Sequence, residues 1–229
     1  MGEWDRAMEL AREALAIDDE LGELRGVAAT LHLMAQIEAS RGKLGEAMDL
    51  HERSLAIDRR LGDLDGQAAS LHAIALIYVK SGELNLAMQL FQQSLEIERA
   101  LGHALGEAST LQAMAGVHAA RREFDEATQL YKTAIEIAER VEEPRMHASA
   151  LCMLGQVLVY TGEVEAGVSA IRESIRMLAA IGHVDAAKLV DILGWVRKSL
   201  GEARFAQVWT EVTGEDSVPD WVPAPPNAS

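Results

Sequence analysis

Residues 67–102 read QAASLHAIALIYVKSGELNLAMQLFQQSLEIERALG. From Gln67 to Lys80 the chain is rich in Ala, Leu and Ile and has no internal Gly or Pro, so nothing interrupts a helix. Ser81-Gly82 then supplies a turn, because glycine enters the left-handed conformation that ends a helix without steric cost. From Glu83 to Leu101 apolar residues fall at Leu84, Ala87, Met88, Phe91, Leu95 and Ile97, which lays one apolar stripe along one helical face. Leu101-Gly102 closes this second helix. Turns this short make neighbouring helices antiparallel.

The unit recurs every 40 residues: Gly2, Gly42, Gly82, Arg122 and Gly162 form one column, and Ala7, Ala47, Ala87, Ala127 and Gly167 another. Further columns read Leu15, Leu55, Leu95, Ile135, Ile175 and Ala35, Ala75, Ala115, Gly155. One repeat cannot bury its own apolar face, so stacked repeats share a core and present an extended surface. The pattern predicts an all-α chain of about five repeats and eleven helices, over 3–21, 24–40, 44–61, 65–80, 84–101, 105–121, 124–141, 145–161, 164–181, 184–199 and 202–213. Gly2 stands in the turn column, so the array opens on the second helix of a pair. That reads as a chain cut from a longer protein, or as one lacking half a repeat. The domain reading is a repeat array over 1–213 and an extended or disordered Pro-rich tail over 214–229, since Pro219, Pro223, Pro225 and Pro226 oppose helix.

Aromatic residues make up only 4% of the chain, so Ala, Leu, Ile and Met must build the core. The net charge of −15 repels phosphate backbones and argues against nucleic-acid partners. A single cysteine, Cys152, allows no internal disulfide and fits a cytoplasmic setting. No apolar run is long enough to span a bilayer, and the first residues carry no secretory signal.

These residues resemble the tetratricopeptide repeat (TPR) family. The resemblance rests on Ile74-Ala75, Tyr78, Gly82, Ala87 and Phe91 in one unit, on Met114-Ala115, Ala127 and Tyr131 in the next, and on Leu154-Gly155, Gly162 and Gly167 in the one after. It covers residues 1–213. It departs from the family pattern where Leu31, Leu71, Leu111 and Leu151 replace Trp, and in a unit longer than the usual 34 residues. The pattern Ser-Leu-x-Ile followed by Leu-Gly resembles the long-repeat branch, found in kinesin light chains, Pins-type adaptors and bacterial regulators. The resemblance implies a right-handed superhelical solenoid of antiparallel helix pairs whose first helices line a concave groove.

Carried onto this sequence, that groove would be lined by His32, Gln36, His72, Leu76, Val79, Lys80, Gln112, Cys152, Gln156, Val159 and Tyr160. Those positions hold one Lys, no Arg and no Asn. They therefore lack the Lys, Arg and Asn with which chaperone-binding members grip a C-terminal carboxylate, and the asparagines of Pins-like members.

His32 and His72 recur at the repeat period, but equivalent helices lie about 10 Å apart. Two imidazoles alone do not complete a zinc site, so no metal or other cofactor is read here. Cys152 has His147 one turn away, yet no orienting group or oxyanion site accompanies them. No phosphate loop or HExxH occurs. The sequence thus reads as a non-enzymatic protein–protein interaction scaffold with a protein or peptide partner, and neither nucleic acid nor membrane. The alternative is a sensor module of a larger bacterial signalling or transcription-regulating protein. Trp221, set between prolines, suggests a tail that docks in a groove of its own molecule or of a neighbour, making self-association through the tail a further expectation.

Overall fold

The computed structural model describes residues 2–224. Among these residues the secondary structure is eleven α-helices: α1 (Glu3–Leu21), α2 (Leu24–Ser40), α3 (Leu44–Leu61), α4 (Leu64–Lys80), α5 (Leu84–Leu101), α6 (Ala104–Ala120), α7 (Phe124–Arg140), α8 (Pro144–Thr161), α9 (Val164–Ala180), α10 (Asp185–Leu200) and α11 (Glu202–Thr213). Each boundary lies within one residue of the span read from the periodicity.

The turns carry the reason. Gly22, Gly62 and Gly102 end α1, α3 and α5 with φ of 70°, 67° and 71°, and the amide of the residue after each bonds back to the carbonyl of Asp18, Asp58 or Glu98. Two positions keep the left-handed backbone without glycine: Arg122 at φ 64° and Glu142 at φ 55°. The backbone demand of the turn outlasts the residue that meets it most cheaply.

The chain forms two compact units, residues 1–113 and 114–229, divided inside α6. In the first unit α1 to α5 pack each on the next. Ala35, Ala47, Ala75 and Ala87 are fully buried there, so the small-residue columns are where helices approach most closely. Phe91, Leu31, Leu71 and Leu111 fill the space between. In the second unit α7 to α10 pack in sequence, and α11 returns to lie on both α9 and α10. Val168, Ile171, Leu193, Val196, Phe205, Val208 and Trp209 are buried together there.

The described part of the tail, residues 214–224, packs on these last helices. Val222 is buried in the same cluster, and its carbonyl accepts from Arg197 Nη1 at 2.8 Å. Trp221 meets Trp209 edge to face at 5.7 Å and stays about half exposed. Trp209 Nε1 donates to Glu215 at 2.9 Å. The residue that anchors this segment is therefore Val222, and the segment lies against α10 and α11. Residues 225–229 of the sequence-derived tail lie outside the described residues.

Candidate functional site

In the first unit the chain encloses a cleft of about 590 Å³. His32 and Gln36 come from α2; His72, Leu76 and Lys80 come from α4. Ala69 and Ala73 keep the α4 wall low, and His51 of α3 and Glu98 of α5 complete the lining. Five residues read from the columns thus share one cavity. Val79 and Gln112 are half-buried and lie outside its lining.

The imidazoles of this cleft are held neutral. Burial, aided by the nearby His32, pushes His51 down to about 4, and burial alone pushes His72 to about 4. Burial also lowers His32. Hydrogen bonding sets the His72 tautomer. Thr110 Oγ1 donates to Glu98 Oε1 at 3.2 Å, so it must accept from the His72 Nδ1–H at 2.8 Å. His72 Nε2 is left as an acceptor. The Gln36 side-chain amide donates to His32 Nε2 at 2.9 Å, and the His32 and His51 rings meet edge to face at 4.7 Å.

Glu98 belongs to a column of its own. Asp18, Asp58 and Glu98 each end a second-type helix and lie under Gly26, Gly66 and Gly106 of the next helix. A Cβ at those glycines would come within 2.5 to 2.8 Å of the carboxyl group. Thr30 donates to Asp18 at 3.2 Å as Thr110, two repeats on, does to Glu98. In the later repeats all three partners change together: Ala138 stands in the acid's column, Met146 in the glycine's and Ala150 in the hydroxyl's. Burial raises the pKa of both Asp58 and Glu98. The recurrence of an acid with glycine at +8 and a hydroxyl at +12 is the signal in the sequence that the column reading passed over at Glu98.

In the second unit Gln156 and Tyr160 line a pocket of about 290 Å³ with Arg122, Phe124 and Trp195. Phe124 and Tyr160 meet at 4.9 Å, and the Arg122 guanidinium sits 5.7 Å from the Tyr160 ring. Cys152 and Val159 lie outside the lining of both pockets, and Cys152 lines a third of about 250 Å³ with Met153, Leu178 and Leu189. Cys152 is buried in the α9–α11 cluster, where burial raises its thiol pKa, and Val159 packs against that same cluster. Gly167 accounts for Val159: with no side chain where other repeats carry Ala, it lets Val159 settle over it, and a Cβ there would fall 2.6 Å from Val159 Cγ2. Among the described residues no three His, Cys, Asp or Glu side chains converge as metal ligands, and no helix is long and apolar enough to cross a membrane.

The tetratricopeptide repeat family profiles match residues 26–100 and 108–145, the stretches that build the first cleft and lead into the second pocket. The chain belongs to the tetratricopeptide repeat family. Its forty-residue unit and helix pairs are consistent with the long-repeat branch, and solved structures share its fold. BtubC (BKLC) from P. vanneervenii superposes with a TM-score of 0.73 at 18% identity, over 96% of each chain. A kinesin-light-chain-type array of nearly identical TPR-like repeats from Podospora anserina gives 0.62 at 18% identity, over 81% of this chain and 93% of that one. The Rap conjugation gene regulator of plasmid pLS20, solved with the Phr* peptide, gives 0.68 at 12% identity, over 87% of this TPR chain and 62% of that one. At these identities the likeness is one of fold alone. No curated protein matches the sequence.

Proposed function

We propose that this TPR protein is a protein–protein interaction scaffold that holds an extended segment of a partner in the cleft between His32, Gln36, His72, Leu76 and Lys80. The observation that carries this reading is the cleft itself, about 590 Å³ lined by alanines, Leu76 and Ile77, neutral imidazoles and one amide, with Lys80 and Glu98 as its charged residues. Such a lining suits a peptide backbone with aliphatic side chains and offers no nucleophile with its base. The Rap regulator of similar fold was solved with a peptide, which supports the same mode of use. The net charge of −15 weighs against a nucleic-acid partner. On this reading the protein acts without a cofactor and is no enzyme, and its one unpaired cysteine suits the cytoplasm. The peptide-bound regulator also favours a second reading, a peptide-sensing module of a larger regulatory protein.

Selection of a displayed random-peptide library on the full chain tests the proposal. Peptides are expected to enrich on the native protein and to be lost on Leu76→Arg, whose side chain fills the cleft from an exposed position. Enriched peptides that hold equally to both proteins would place binding elsewhere.

A further inference from the structure

The cleft has two electrically distinct ends. At one end Glu98 is 6% exposed; Ser94 and Thr110 donate to its Oε1, while Oε2 has no hydrogen-bond partner. At the other end Lys80 is exposed and makes no ion pair among the described residues. Between them lie Ala73, Leu76 and Ile77.

The preceding repeat carries a related pocket. There a smaller pocket of about 220 Å³ is lined by Asp58, Gly66 and Ala69, which the repeat maps onto Glu98, Gly106 and Ser109. That pocket also has its own cation: Arg25 lines it and reaches Asp63 at 3.5 Å. Forty residues on from Arg25 stands Asp65, an exposed acid. One repeat on the pair is reversed: Asp65 meets His103, which stands in the column of Asp63, at 3.1 Å, and Glu98 Oε2 still has no hydrogen-bond partner. A buried carboxylate with an unpaired oxygen is costly, and an incoming cation would relieve that cost.

We infer that the cleft selects a segment with a Lys or Arg at one end and an acidic side chain at the other. This rests on the proposed peptide-binding role and adds the partner's chemistry to it. The cation meets the Glu98 carboxylate, whose Oε2 is unpartnered. The acid pairs with Lys80. From His72, which is hydrogen-bonded through Thr110 to Glu98, to Lys80 is eight helical residues, about 12 Å at 1.5 Å each. Four extended residues span about 13 Å. The two charges therefore stand four residues apart, on one face of an extended strand, and an apolar side chain midway rests on Leu76. The spacing fits either chain direction.

Fluorescence anisotropy with the full chain tests this, using labelled peptides with the core Lys-Thr-Leu-Thr-Glu and the same core with Lys at both ends, Glu at both ends or Gln at both ends. The Lys/Glu peptide is expected to bind at least about tenfold more tightly than the Gln/Gln peptide, and Glu/Glu most weakly. In Lys80→Glu, an exposed change, the order should reverse so that Lys/Lys binds best. In Glu98→Gln, checked for helicity, Lys in place of Gln should confer no advantage. An unchanged order in Lys80→Glu overturns the inference, as does full affinity in Glu98→Gln. If all four peptides bind alike and are lost on Leu76→Arg, the peptide-binding role stands and the charge rule falls. If none binds while a library-selected peptide does, the charge rule again falls alone. If neither designed nor selected peptides bind, both fall.

Discussion

Gly155 of α8 and Gly167 of α9 face each other with no side chain between them. A Cβ on Gly155 would sit 2.8 Å from the Gly167 carbonyl oxygen, and one on Gly167 would sit 2.6 Å from that of Gly155. The two backbones therefore close to a distance that even alanine forbids.

Gly155→Ala is expected to destabilise the protein by about 1–3 kcal/mol, the usual cost of overpacking, read as a lower urea midpoint at unchanged slope. Ala75→Leu, in the same column and fully buried, should cost at least as much. Gly45→Ala is the control: nothing lies within 4 Å of its Cβ position, and its helical site gains up to about 0.5–1 kcal/mol from alanine. A Gly155→Ala protein as stable as the native one would show that α8 and α9 can part at no cost.

The buried acid and its glycine predict a coupling. Gly66→Ala puts a methyl group 2.5 Å from the Asp58 carboxyl carbon and should cost about 1–3 kcal/mol. In an Asp58→Ala background the same change should cost almost nothing. A double-mutant cycle by chemical denaturation checks this, and additive effects would refute the contact.

Histidine burial predicts a loss of stability in mild acid. His51 is 2% exposed and its pKa falls from 6.5 to about 4 in the fold. The native state therefore holds fewer protons than the unfolded chain between those values. The stability this group contributes is complete above pH 6.5 and drains away as pH falls toward about 4, by at most on the order of 3 kcal/mol. His72 acts with the same sign. Asp58 and Glu98, whose pKa values are raised, act with the opposite sign, favouring the fold as they protonate. Urea midpoints at pH 7.5, 5.5 and 4.5 should fall more steeply for the native chain than for His51→Leu; parallel curves would contradict the assignment.

Glu142 holds φ 55° in an exposed turn. Glu142→Gly should stabilise by about 1 kcal/mol, because glycine reaches that conformation without the Cβ clash. A lower melting temperature in this variant would contradict the reading of the turn.

At the C-terminal end, Val222→Ala is expected to cost about 1 kcal/mol by removing two buried methyl groups, and Trp221→Ala less, since its ring is half exposed. Thermal melts of the two variants decide the order. Sedimentation velocity of the full chain against a 1–213 truncation separately tests association through Trp221, with a concentration-dependent shift that vanishes on truncation expected if neighbouring molecules share that ring.

The periodicity made the helices legible because each turn is a local event, written in a glycine or its substitute. It placed His32, Gln36, His72, Leu76 and Lys80 on one wall for the same reason: they repeat at a fixed offset on first-type helices. His51 and Glu98 lie on second-type helices, whose residues a groove-lining rule assigns to the core, so they escaped it. A column describes an average repeat, so it does not show that Cys152 is 1% exposed, or that Gly167 leaves room for the Val159 side chain over it. Near the tail the large aromatic drew attention, while the smaller Val222 fits beneath it, held by the turn from its own amide to Pro219 O at 3.0 Å.

The acid–glycine pairing also limits how this gene can recombine. Asp18, Asp58 and Glu98 are interchangeable across junctions, since each meets a glycine eight residues later; losing or duplicating forty residues among the first three units leaves every carboxylate housed. A crossover that joined the chain after Glu98 to the residues following Ala138 would instead bring Met146 against the acid. Unequal exchange within the first three units keeps the acid and its glycine together, whereas an exchange across that line crowds the carboxylate with a methionine side chain.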